Sequence, residues 1–129
     1  MKVQILDIYD RGGSSPTVSF SSEIGSAVGS WRGERLPEVS RVYDVEIEIG
    51  DNLVWGHNIC PVPGGRSEIK LAGDKVIITG LLEALHENGV ATMRIADSVV
   101  LVDSSGEAPH TPCWVRVEVA DLSLYDTNI

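Results

Sequence analysis

The chain has 129 residues, 43% of them hydrophobic and 22% charged, enough for one domain (1–129) that buries its own core without staples. Nineteen acidic residues against ten basic ones give a net charge of −9, which argues against direct nucleic-acid binding, because a phosphate backbone needs a basic footprint. No apolar run approaches the roughly 18 residues that span a bilayer, Asp7 interrupts the N-terminal apolar run, and Cys60 and Cys113 are too few for a disulfide framework, so a cytoplasmic protein is expected.

Aromatic residues make up only 5% of the chain, so the core rests on Val, Ile and Leu, a bias that favours strands. Val3 to Tyr9 reads as a first strand whose apolar phase changes near Leu6. Asp10-Arg11-Gly12-Gly13-Ser14-Ser15-Pro16 is a loop. Within the Ser/Gly-rich segment that follows, only Thr17-Val18-Ser19-Phe20 carries a short strand signal. Gly25, Gly29 and Gly33 argue against a long helix, so 11–37 is expected to be a long mobile loop.

Val42 to Ile49 is the clearest signal in the chain. Tyr43, Val45, Ile47 and Ile49 alternate with Asp44, Glu46 and Glu48, a period of two that only a strand has. The apolar set faces a core, and the three carboxylates line the opposite face at a repeat of about 6.6 Å. At that spacing they cannot share one small metal ion, but they form a row of negative charge. A solvated face and a docking face for a basic partner are both consistent with it.

Short strands are expected at Leu53–Gly56 and Ile69–Leu71. Lys75 to Arg94 admits two readings. Leu81 to Glu87 contains good helix formers with Gly89 as a C-cap, whereas Asn88-Gly89 is a strong signal for a hairpin turn. The hairpin is favoured because a two-residue turn sets Glu83 opposite Arg94 and puts Leu82, Ala84, Met93 and Ile95 on one face. Val99 to Val102 reads as a short buried strand. Val115, Val117 and Val119 alternate with Arg116 and Glu118, and the opposite phase of Leu122 and Leu124 indicates a bulge near Ala120-Asp121. The fold class that follows is mainly β: a small antiparallel barrel or sandwich, OB-like, with a long Ser/Gly-rich loop and at most one short helix. Gly80, inside an apolar strand, suits the curved strand of such a barrel.

His57-Asn58-Ile59-Cys60 and His110-Thr111-Pro112-Cys113 share the spacing H-x-x-C, and four such ligands suit tetrahedral structural zinc. A Cys60–Cys113 disulfide and plain structural residues are the other readings, so no cofactor is expected, with zinc as the alternative. Gly25-Ser26-Ala27-Val28-Gly29 does not place its serine as a nucleophile elbow does. Pro63-Gly64-Gly65-Arg66-Ser67 lacks the lysine of a phosphate loop. An enzyme is therefore not expected. Trp31 and Arg32 form a basic-aromatic cluster of the kind found at interface hot spots, against a tryptophan tucked onto the barrel.

Asp44, Glu46 and Glu48, with Trp31 and Arg32, are thus the candidate partner-binding residues. In size, acidity and absence of a catalytic motif the chain resembles the small immunity proteins of contact-dependent inhibition and polymorphic toxin systems. That resemblance implies an acidic protein that neutralises a basic partner, most concretely a bacterial nuclease-type toxin domain. The other reading is a non-catalytic OB-like or sandwich-like module in a larger assembly.

Overall fold

Alternating Val, Ile and Leu positions, broken by Gly-, Pro- and Asp-containing turns, give a chain built of strands. A computed structural model describes residues 1–9 and 15–127. Among these residues there are twelve strands and no helix: β1 (Lys2–Tyr9), β2 (Thr17–Ser22), β3 (Gly25–Trp31), β4 (Val42–Ile49), β5 (Asn52–Val54), β6 (Ile59–Pro61), β7 (Glu68–Ala72), β8 (Lys75–Leu85), β9 (Val90–Ile95), β10 (Ser98–Ser105), β11 (Cys113–Val119) and β12 (Leu122–Asp126). No helix is long and apolar enough to cross a membrane among the described residues.

The fold is a small OB-like barrel with additional strands. Five strands close a ring in the order β4–β1–β2–β3–β12–β4, and β3 also meets β7 through Gly25 and Ile69. From β7 the sheet continues through β8, β9, β10 and β5. A bridge between Trp55 and Ile59 then leads to β6, which pairs with β11, and β11 returns to β8. One apolar cluster fills the interior, with Phe20, Trp31, Leu53, Ile78, Met93 and Leu124 fully buried in it.

Two devices bend the sheet where the sequence changes phase. The register of β1 against β2 shifts between Ile5 and Asp7, so Leu6 is left outside while Val3 and Ile5 point inward. At the β11–β12 corner, the Asp51 carboxylate accepts hydrogen bonds from the backbone N–H groups of Ala120 and Asp121, both at 2.9 Å. Those two amides lie at the break between strands, where no ladder partner serves them.

The expected mobile loop 11–37 is corrected by β2 and β3, which pair as an antiparallel hairpin from Thr17↔Ser30 to Ser22↔Gly25. The glycines in β3 serve close approach rather than mobility. A Cβ on Gly25 would meet the Ile69 carbonyl oxygen, and one on Gly29 would lie 3.1 Å from that of Leu122. Residues 11–14 lie outside the described residues.

The 81–89 ambiguity resolves as a hairpin, with a register different from the one expected. The Gly89 N–H donates to the His86 carbonyl at 3.0 Å, and the His86 N–H donates to that of Val90 at 2.9 Å. The loop is therefore Glu87-Asn88-Gly89, with Gly89 at φ +84°, instead of Asn88-Gly89 alone. A second shift between Leu82 and Ala84 places Leu81 opposite Arg94. Gly80 stands where the neighbour of β8 changes from β7, ending at Thr79, to β9, beginning at Leu81.

Candidate functional site

The acidic strand is built as its alternation dictates. Val45, Ile47 and Ile49 are buried, and Glu46 and Glu48 are exposed. Asp44 is tied down: the Met1 ammonium lies 3.2 Å from its carboxylate and also donates to the Val45 carbonyl at 3.0 Å. Among the described residues, Glu46 and Glu48 have no ion pair. Arg41 pairs instead with Glu38 at 3.3 Å and lies over the Tyr43 ring, 5.3 Å from its centroid.

These carboxylates line one wall of an open groove of about 690 Å³. The opposite wall is β10 with the turn before it, which contributes Asp97 and Asp103 and, between them, Val99 and Leu101. Tyr125, directly opposite Glu46 in the β4–β12 register, flanks the first wall. Val99 is 53% and Leu101 64% exposed, so the expected buried strand 99–102 is buried on one face only. Its two inward residues, Val100 and Val102, reach the core. No lysine or arginine is among the groove's lining residues, whose only cation is the Met1 ammonium. The groove is therefore an apolar strip between five carboxylates.

Composition alone did not disclose Val99, Leu101, Asp97 and Asp103 as parts of this site. An apolar run of four reads equally as a strand buried on both faces. The acidic residues bracketing it, Asp97 and Asp103, were the available signal that one face is wet.

Trp31 is corrected from partner-binding candidate to core residue. It is 2% exposed, its indole N–H donates to the Arg35 carbonyl at 2.8 Å, and its ring meets Tyr43 edge-on at 5.0 Å. With one ring in the core and its only polar atom satisfied, it presents nothing to a partner. Arg32 remains exposed but does not line the groove. Its guanidinium donates to the hydroxyls of Ser123 and Ser15, at 3.4 and 3.3 Å.

The two H-x-x-C pairs do not converge. In the β6–β11 register Cys60 stands opposite Arg116, three residues along β11 from Cys113. That separation is about 10 Å along a strand and sets the two side chains on opposite faces. Cys113 packs against the core beside Val115, and burial pushes its thiol above the ordinary range. His57 and His110 are exposed. Among the described residues no group of three or more His, Cys, Asp or Glu gathers to hold a metal ion. A raised thiol is also a poor nucleophile, because the thiolate is the reactive form.

No protein-family model matches the chain, and no curated protein or solved structure is found similar to it.

Proposed function

We propose that this protein is an acidic, non-catalytic binding protein that neutralises a basic partner in the cytoplasm, acting as an immunity protein against a nuclease-type toxin. The observation that supports this reading most is the groove between β4 and β10, with five carboxylates, no lysine or arginine, and exposed Val99 and Leu101 along its strip. A nuclease presents a positive cleft to phosphate, and a row of fixed carboxylates competes for that cleft without offering a bond to cleave. Opposite charge speeds the encounter, and the apolar strip supplies contact area that holds the complex once formed.

The test begins with the DNA immediately upstream of this gene. A long open reading frame ending in a short basic domain would supply the partner, and co-expression would then show whether this chain relieves its toxicity. An upstream metabolic operon, or a basic domain that remains toxic, would remove the reading.

One observation favours the second reading, a module within a larger assembly. Leu36, Val39 and Val42 are all more than half exposed on one irregular stretch and the strand it enters, and exposed apolar groups close in sequence mark contact surfaces. A salt-tolerant complex or self-association, abolished by Leu36→Ser with Val39→Ser, would support that reading instead.

A further inference from the structure

The backbone of the groove is as informative as its side chains. On β10, Ser98 pairs with Ile95 across a two-residue turn, and the Ser104 N–H donates to the Gly89 carbonyl at 2.8 Å. The even-numbered residues therefore bond toward β9, and Val99 and Leu101 turn their N–H and C=O groups to the other edge. On β4, Val45 exchanges backbone bonds with Met1 at 2.7 and 3.0 Å. The odd-numbered residues thus face away from β12, and beyond Met1 the backbone groups of Ile47 and Ile49 open onto the groove. Further along, the two walls come together: β5, which continues β4, pairs in parallel with β10 from Asp103 to Ser105. Upstream of that junction no ladder joins β4 to β10 among the described residues.

Resting on the reading above, we infer that the groove is a strand-acceptor site, in which an extended segment of the basic partner pairs with the open edge of β10 at Val99 and Leu101. Main-chain bonds to a sheet edge give affinity in this mode, and alternate side chains give specificity. Outward side chains of the added strand repeat every 6.6 Å or so, the spacing of Glu46 and Glu48. The segment that fits carries Lys or Arg at alternate positions, their aliphatic stems lying on Val99 and Leu101 and their charged ends reaching the carboxylates. A second copy of this chain is the wrong occupant. Pairing two β10 edges would set Asp97, Asp103, Glu46 and Glu48 of each copy against those of the other, and like charges on an edge are how sheets avoid self-pairing.

The test uses a nine-residue peptide alternating lysine and valine, and the same peptide N-methylated at every second amide, which keeps the charge but removes one bonding edge. The plain peptide is expected to bind and to slow hydrogen exchange at the Val99 and Leu101 amides. The methylated peptide is expected to bind about tenfold more weakly, the loss of one or two net hydrogen bonds. On the protein side, Leu101→Pro removes an edge N–H that β9 does not use, so it blocks the peptide while the other β10 amides stay protected. Should β10 itself lose protection in that variant, the methylated peptide remains the deciding comparison. Equal binding of the two peptides would overturn strand addition and leave capture of a basic ligand by side chains standing. Binding of neither would overturn strand addition too, while the neutralisation reading would still answer to co-expression with the upstream basic domain.

Discussion

Arg94 forms an ion pair with Glu83, its Nε lying 3.2 Å from the carboxylate, although the residue opposite Arg94 on β8 is Leu81. The register shift between Leu82 and Ala84 displaces Glu83, and the long side chains still meet diagonally. Both side chains are more than a third exposed, so screening keeps the pair small. Glu83→Gln is expected to lower stability by a few tenths of a kcal/mol, and a double-mutant cycle with Arg94→Gln should give a coupling below about 1 kcal/mol.

Gly80 allows a backbone approach that no other residue fits. A Cβ there would lie 2.7 Å from the Arg94 carbonyl oxygen and 3.2 Å from the Ile95 and Met93 side chains. Gly80→Ala is expected to cost about 1–3 kcal/mol, because main chain rather than a flexible side-chain end must move. Urea unfolding would read this as a lower midpoint at unchanged slope.

Ala96 carries the opposite liability. It occupies the first position of the β9–β10 turn at φ +54°, where its N–H donates to the Ser67 hydroxyl at 2.7 Å. A left-handed conformation costs an L-residue about 1–2 kcal/mol, and glycine relieves that cost less its own entropy. Ala96→Gly is expected to stabilise the fold by about 0.5–1 kcal/mol, measured in the same unfolding experiment.

Trp31→Ala separates a core role from a contact role. A buried tryptophan removed from a packed core costs about 3–5 kcal/mol, so the melting transition should fall sharply. An unchanged transition would return Trp31 to the surface.

How much of this was legible in the sequence follows from the physics of each element. The acidic strand and the changes of phase at Leu6 and near Ala120-Asp121 could be read directly, because the period of two is local. The second change is a corner between strands rather than the expected bulge, since β11 ends at Val119 on β8 and β12 begins at Leu122 on β4. Strand β3 was missed because Gly25 and Gly29 look like loop residues, and their purpose, admitting the Ile69 and Leu122 backbones, depends on residues more than forty positions away. The hairpin register was missed because Asn88-Gly89 does not distinguish a two-residue turn from a three-residue loop ending in Gly89. Half of the groove was legible: β4 announces its carboxylates, but nothing local says that β10 faces it.

Replacing Glu46 and Glu48 with glutamine should leave the fold intact. The two positions repeat at about 6.6 Å along the strand, so in water the repulsion between their carboxylates is a few tenths of a kcal/mol, and removing it raises stability slightly if at all. The pair stands in the groove without an arginine or lysine partner among the described residues, so its charge is open to a docking partner.

The most direct test, once the upstream DNA yields a basic domain, is the association rate of that domain with this protein and with its Glu46→Gln/Glu48→Gln variant, measured across a range of salt concentrations. Charge steering through the groove predicts that the wild-type rate falls steeply as salt rises, and that the variant is slower at low salt with a shallower dependence. Identical rates and identical salt dependence for the two proteins would contradict the assignment of the β4–β10 groove as the binding surface.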